Sequence, residues 1–286
     1  MTDEDRATGL RNTLVDGLVR DQFVRSAAVE AALRAVPRHH FAPWLSLEDA
    51  YSNAAWTIPE SAPEAPATIS QPAAVGVMLE SFDLRPGQKV LEIGAGTGYN
   101  AALMAHLVGS EGQIVSIDIE AYLVEAAAAR LADLSNVQVV HGDGGAGFAP
   151  HAPYDRIVAT VGAWDLPPAW RQQLKPTGRL VLPLHLFGEP QEHILVSFQH
   201  DGPMLVGQGL CSLGMVLMRG EYARLETPAQ AQLNAEGRGR EMAPEKLRVR
   251  AYSKELSYQP LYQPQPHELV IDKPQARLIV TSTSSA

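Results

Sequence analysis

The sequence predicts an α/β chain: a doubly wound, mainly parallel sheet with helices on both faces, a C-terminal antiparallel hairpin and a small appendage beyond it. Three observations predict this. Between about residues 68 and 184, apolar runs of strand length alternate with segments of helical periodicity, the pattern of strands joined by crossover helices. One such run, Val90-Leu-Glu-Ile93, gives way to glycines at 94, 96 and 98, which marks a buried strand, a tight turn and a helix start. The last two apolar runs, 193–199 and 207–218, have only a short turn between them and therefore pair antiparallel at the sheet edge.

At 286 residues, 45% hydrophobic and 19% charged, the chain can bury one large domain and still carry an appendage. A formal net charge of -9 argues against nonspecific attraction to nucleic acid or to an anionic membrane. No segment has the length of a membrane span, and Met1-Thr-Asp-Glu-Asp5 lacks the basic start of a signal peptide. A cytoplasmic protein with neither nucleic-acid nor membrane partners is expected. Cys211, the only cysteine, sits in an apolar stretch and reads as a buried, inert thiol.

Leu10, Leu14, Val15 and Leu18 give residues 6–19 helical spacing, and a second helix at 27–36 ends before Pro37. His39 and His40 are adjacent; neighbouring side chains diverge, so no metal site is expected and both read as core or surface histidines. Pro59, Pro63 and Pro66 make 46–67 an irregular loop. Residues 1–67 thus form an N-terminal helical cover and loop, 68–220 the sheet domain, and 221–286 the appendage. In Thr68-Ile-Ser-Gln-Pro72 a hydroxyl-rich turn leads into a helix to about Phe82. Ser70 has two readings there, the N-cap of that helix or a hydroxyl aimed at a ligand.

Residues 99–108 form the helix after the glycine turn, with its first amides facing whatever lies in the turn. A dinucleotide fingerprint needs its third glycine one place later, where Tyr99 stands, and Glu92 would repel a pyrophosphate. A cationic ligand without phosphates fits better, and S-adenosylmethionine is the expected one; the alternative is a tight strand-to-helix turn with no ligand. The strand at 113–118 ends in Asp118, placed to accept from a ribose diol. A helix at 120–134 and a strand at 136–140 follow, then Gly142-Asp-Gly144, a turn that would set Asp143 against an adenine amino group. Either acid alone is also an ordinary strand-end cap. Residues 154–160 and 178–184 complete the parallel strands around a short helix at 166–174, and Glu92, Asp118, Asp143 and Thr160 fall on one edge. In the appendage, 246–252 reads as a strand, 258–266 as extended and proline-rich, and the last six residues as frayed.

From residue 31 to 184, and more loosely to 220, the sequence resembles the protein-L-isoaspartate O-methyltransferase family. The matching segments are Val36-Pro-Arg-His-His-Phe41, Thr68-Ile-Ser-Gln-Pro72, Val90-Leu-Glu-Ile-Gly-Ala-Gly-Thr-Gly-Tyr99, His141-Gly-Asp-Gly144, Ala152-Pro-Tyr-Asp155 and Gln173-Leu-Lys-Pro-Thr-Gly-Arg-Leu180. The resemblance implies a Rossmann-like, seven-stranded methyltransferase fold dependent on S-adenosylmethionine. It implies that Glu92, Gly94, Ala95, Gly96, Thr97, Gly98, Asp118 and Ile119 surround the cofactor, with Gly142, Asp143 and Gly144 near adenine. It also places Ser70 in the active-site turn.

The proline and alanine loop replaces a stretch that is short and rich in glycine and histidine in the family. With Ala159-Thr-Val-Gly-Ala-Trp-Asp-Leu-Pro-Pro-Ala-Trp170, Met215-Val-Leu-Met-Arg-Gly220 and the appendage, the chain looks more like the branch associated with maturation of ribosomally made peptides. That branch methylates an aspartate of a modified precursor, which closes to aspartimide. The implied partner is a peptide or protein carrying aspartate or isoaspartate, with such a precursor favoured over general repair.

A carboxylate with an ordinary pKa of about 4 is already the nucleophile at neutral pH, so positioning rather than a general base carries the reaction. Ser70 and Thr160 are the expected catalytic residues. Thr68, Ser70 and the turn Val161-Gly162 are expected to hold the substrate carboxylate, through backbone amides in the turn. Trp164 either walls the pocket or simply packs. Amino-directed base methylation would need a polar-Pro-Pro-aromatic motif directly after the fourth strand, where Ala159-Thr-Val-Gly-Ala163 stands. A binding module that recruits targets without turnover is the remaining rival.

Overall fold

The computed structural model describes residues 2–63, 66–163, 166–184, 192–201, 204–223, 248–249 and 278–280. Two helices open the chain, α1 (Asp3–Arg20) and α2 (Ala27–Ala35). Thr2 and Asp5 form a reciprocal capping box at the start of α1, and the Ser26 hydroxyl caps α2. The segment expected to be irregular holds a short helix α3 (Leu47–Ala50) and a strand β1 (Trp56–Thr57) that pairs antiparallel with β2 (Thr68–Ile69). Two-residue strands offer too little periodicity to be read from sequence.

The sheet domain then runs α4 (Pro72–Phe82), β3 (Lys89–Ile93), α5 (Tyr99–Val108), β4 (Gln113–Asp118), α6 (Ala121–Arg130), β5 (Val137–His141), β6 (Tyr154–Ala159), α7 (Pro168–Gln173), β7 (Leu174–Leu184), β8 (Glu192–Asp201) and β9 (Met204–Gly214). These strands lie in the order β9-β8-β7-β6-β3-β4-β5. β5, β4, β3, β6 and β7 are parallel; β8 and β9 form the antiparallel hairpin, as the sequence predicted. Two short strands from the appendage, β10 (Arg248–Val249) and β11 (Leu278–Val280), continue the sheet past β9. The proline-rich stretch 258–266, the last six residues and Trp164 lie outside the described residues.

Alternate residues of the buried strands feed two cores. Val90, Ile114, Val158 and Val181 face α1, α2, α4 and α5, in one cluster with Val15, Leu18, Val29, Leu33, Phe82 and Leu103. Leu91, Ile93, Val115, Ile117 and Ile157 face the other way, with Tyr154, Trp170 and Phe198. The N-terminal helices therefore share one apolar core with the sheet.

Strand order reverses between β3, whose chain moves on to β4, and β6, whose chain moves on to β7. In an open α/β sheet the ligand crevice lies outside the carboxyl ends at such a switch point. Here those ends carry Gly94 and Thr160. No described helix is long and apolar enough to cross a membrane.

Candidate active site

The glycine turn departs from β3 with Gly94, Gly96 and Gly98 all at positive φ (96°, 51° and 87°), a conformation that L side chains rarely adopt. At Gly94 a Cβ would also lie 2.7 Å from the Thr160 hydroxyl and 3.0 Å from the Val161 side chain, so the two switch-point strands approach through the missing side chain. Thr160 fastens this approach, its hydroxyl lying 2.7 Å from the Gly94 carbonyl and 3.1 Å from that of Ile93. The proton of the expected catalytic hydroxyl is thus committed to the backbone. The lone pairs remain.

The amides of the turn are engaged as well. Gly94 and Ala95 donate to the Ile117 carbonyl at 2.8 and 3.1 Å, Gly98 donates to Ala95, and Gly96 donates to Asp118 Oδ2 at 2.9 Å. The Thr97 hydroxyl accepts from the Tyr99 amide at 3.4 Å. A loop that cradles a pyrophosphate needs free amides. This loop offers a carboxylate instead, which suits a cationic, phosphate-free cofactor; the residues fit S-adenosylmethionine.

Asp118 ends β4 with both oxygens on backbone amides, Oδ2 on Gly96 and Oδ1 on Glu120 at 3.1 Å. Burial pushes its pKa up while those amides pull it down. Two acceptor sites per oxygen leave room for a ribose diol. Beside it, Ile119 accepts from His141 Nε2 through its carbonyl. Asp143 follows β5 in the Gly142-Asp-Gly144 turn, with Oδ1 accepting from Gly145 at 2.8 Å and Oδ2 from the Glu221 amide at 2.7 Å. Gly144 packs where a Cβ would overlap Ile93, and its carbonyl accepts from Trp170 Nε1 at 2.7 Å.

Glu92 takes a different position. It is 0% exposed, and its carboxylate accepts from Ser116 Oγ at 2.5 Å and Asn100 Nδ2 at 2.8 Å, bridging β3, β4 and α5. Burial drives its pKa up to about 7. Its two oxygens brace the turn from inside the core.

Ser70 is not the cap of α4. The helix begins at Pro72 after Gln71, with no cap bond from either flanking side chain. Asn53 serves that end from the preceding loop: its Oδ1 accepts from the Ala73 amide at 3.0 Å, and its carbonyl accepts from Gln71 Nε2 at 3.0 Å. The Ser70 carbonyl accepts from Arg38 Nη2 at 2.8 Å, while Arg38 Nε donates to Ala50. That guanidinium is 1% exposed and stacks over Tyr99 at 5.1 Å. The half-buried Ser70 hydroxyl forms no hydrogen bond among the described residues. Thr68, just before it, brings its carbonyl to 3.8 Å from where a Gly96 Cβ would be. The hydroxyl turn and the glycine turn thus face each other.

Sequence reasoning left Ser70 between a cap and a ligand group, and missed what holds its turn. Asn53 lies 20 residues from the amide it caps, beyond any local signal. Arg38 stood within a quoted motif without a role. A further correction concerns the turn after β6. The amides of Thr160, Gly162 and Ala163 donate to Ile93, Val216 and Pro183, because this loop is stitched to its neighbours. Only the Val161 amide lacks a backbone acceptor among the described residues, so it alone is left for a carboxylate. The ring of His193, from β8, fills the space a Gly162 Cβ would need. His39 and His40 do not diverge: with Glu4 their ligand atoms lie within 4.8 Å of one another, His39 Nδ1 bonding the Tyr51 hydroxyl at 2.7 Å. Cys211 is half-buried, its thiol pushed up to about 11 by burial, and is inert.

The family model for protein-L-isoaspartate(D-aspartate) O-methyltransferase matches residues 9–211. Protein-L-isoaspartate O-methyltransferase 2 of Archaeoglobus fulgidus is 38% identical over 206 residues, which cover 71% of this chain and 90% of the relative. A solved protein-L-isoaspartate O-methyltransferase superposes with a TM-score of 0.69 at 31% identity, over 78% of this chain and 70% of its own. A Plasmodium falciparum structure of that description, in complex with S-adenosyl-L-homocysteine, shares the fold at a TM-score of 0.62 and 18% identity, over 73% of this chain and 98% of its own. On the match over residues 9–211 and the identity to these relatives, the chain belongs to the protein-L-isoaspartate(D-aspartate) O-methyltransferase family, O-methyltransferases dependent on S-adenosylmethionine.

Proposed function

We propose that this protein transfers a methyl group to the side-chain carboxylate of an aspartate or isoaspartate residue in a peptide, in the cytoplasm, and that its favoured target is a ribosomally made precursor. The observation that carries the transfer chemistry is Ser70: a hydroxyl relieved of capping by Asn53, on a turn fixed by Arg38, facing the cofactor turn. Bound S-adenosylmethionine supplies an electrophilic methyl on a sulfonium. Glu92 bracing, Asp118 and Asp143 orient the adenosine end, while Ser70 and the Val161 amide donate to the incoming carboxylate. The carboxylate is ionised at neutral pH, so no side chain must remove a proton. Holding oxygen, methyl carbon and sulfur in line supplies the acceleration.

The ester formed has methoxide as a usable leaving group. Attack by the next residue's backbone nitrogen on the ester carbonyl forms the ring C–N bond, and methanol departs with the amide proton. Aspartimide is left, with no further residue of the enzyme required.

Two features support a precursor over damaged proteins at large. The proline and alanine loop folds back by an Ile58 amide to Ala67 carbonyl bond of 2.8 Å, and Ile58 packs with Leu123 of α6 beside the cofactor turn. The appendage, residues 221–286 beyond the match that ends at 211, is attached to the sheet through β11 on β9. We assign that appendage to gripping the peptide, next to a cover of residues 1–67 and a catalytic domain of 68–220.

Mass spectrometry after incubation with S-adenosylmethionine tests this directly. The peptides are an isoaspartyl peptide and an aspartyl peptide, the latter both unmodified and cyclised. A methyl gained by the aspartyl peptide and then lost as methanol is the expected result. Methylation of the isoaspartyl peptide alone would make repair the function, and transfer to neither peptide would overturn the reading.

A further inference from the structure

The chain does not stop at the end of β9. The last strand, predicted to run to Met218, ends at Gly214, and residues 215–223 leave the sheet and cross its carboxyl edge. They first meet the turn after β6, where the Gly162 amide donates to Val216 at 2.7 Å and the Met218 amide donates to Gly162 at 2.8 Å. Arg219 then pairs with Glu120, two residues beyond Asp118, and its charge also favours the ionised form of Asp118. Glu221 donates its amide to Asp143, and the Tyr222 ring packs where a Gly145 Cβ would be. Three loops, after β6, β4 and β5, are thereby joined by one segment that lies past the family match.

We propose that residues 215–223 are a strap coupling the two halves of the site, with Arg219 as the positioning residue that holds it closed. The inference rests on the proposed assignment of the Gly162 turn to the peptide and of Asp118 and Asp143 to adenosine. One end of the strap sets the peptide turn and the other sets the two adenosine acceptors, so whatever orders one end orders the other. Ligands at the two ends then strengthen each other reciprocally. Asp143 keeps its strap bond when adenine binds, because a carboxylate has acceptor sites to spare. Gly220 has φ of 101°, and a Cβ there would overlap the Asp143 carboxylate, so the strap passes this acid only as glycine.

The test is calorimetric titration of the full chain with S-adenosylhomocysteine, with and without a saturating amount of whichever of the aspartyl and isoaspartyl peptides the enzyme methylates, comparing wild type, Arg219→Met and Gly220→Ala. Wild type is expected to bind more tightly with peptide present. Arg219→Met, which removes a half-exposed ion pair without adding bulk, should weaken binding about threefold to tenfold and bring the peptide effect close to unity. Gly220→Ala should do more, and Arg219→Met decides the matter if that variant does not fold. Unchanged affinity and unchanged peptide effect in Arg219→Met would overturn the strap, as would a wild type whose affinity ignores the peptide. A wild type that binds no S-adenosylhomocysteine would instead overturn the functional reading beneath it.

Discussion

Glu92 and Asp118 stand near the carboxyl ends of neighbouring strands, and the sequence treats them as a pair on one ligand edge. The structure separates them. Glu92 lies inside β3, beside Ser116 in the register, and its partners are side chains sealed in the core. Asp118 is the last residue of β4, and its partners are the backbone amides of the loops it faces. An acid within a strand is carried into a packed face, where only a local side chain can satisfy it. An acid at a strand end meets the amides of departing chain, and Asp118 keeps acceptor sites to spare even though the residue is buried. One acid is therefore held by core side chains and the other by loop amides, the difference behind our proposal that Asp118 meets the ribose.

The largest effect that would test this contrast is on cofactor binding. Asp118→Ala removes the proposed ribose acceptor and leaves the Gly96 and Glu120 amides without their partner. We expect the dissociation constant for S-adenosylhomocysteine to rise about 100-fold, measured by calorimetry. A rise of less than threefold would mean that Asp118, like Glu92, merely braces the loop.

Glu92→Gln should do the reverse, leaving affinity nearly unchanged and altering stability in a pH-dependent way. In the folded chain Glu92 keeps its proton up to about pH 7, against an ordinary 4.5. Between those values the unfolded chain has lost the proton and the folded chain has not, so stability falls as pH rises and levels off above about 7. The whole penalty is of order 3 kcal/mol. Glutamine keeps hydrogen-bonding groups for Asn100 and Ser116 without the ionisation. Denaturant titrations should find the variant more stable than wild type at pH 8 and the difference gone near pH 4.5. A constant difference across that range would show that Glu92 is not the group being titrated.

This contrast also marks what could be read from the sequence. The parallel strands, their order of occurrence, the antiparallel hairpin and the glycine turn were all legible, because strand periodicity and glycine spacing are local signals. The depth of Glu92 was not, since it depends on Asn100 and Ser116 arriving from α5 and β4. Nor were the spent amides after Thr160, which answer to carbonyls of β3, β7 and the strap. The strap itself was read as more strand: Met215 to Met218 are apolar enough for one, and only the loops they touch divert them.

Ser70 and Asn53 repeat the distinction at smaller scale, one proposed as a ligand group and the other capping the same helix end. Ser70→Ala deletes a hydroxyl with no hydrogen-bond partner among the described residues. The melting temperature should stay within about a degree of wild type, while kcat/KM for the peptide falls roughly 10-fold to 100-fold through a lost bond to a charged group. Asn53→Ala deletes a cap and should cost about 1 kcal/mol of stability by denaturant titration. If the freed Ala73 amide then recruits the Ser70 hydroxyl as a cap, kcat/KM should fall severalfold as well. If the two residues share one task, the double variant loses no more activity than Ser70→Ala alone, because the activity defect of Asn53→Ala acts through that hydroxyl. Multiplying effects would instead place Asn53 in contact with the peptide.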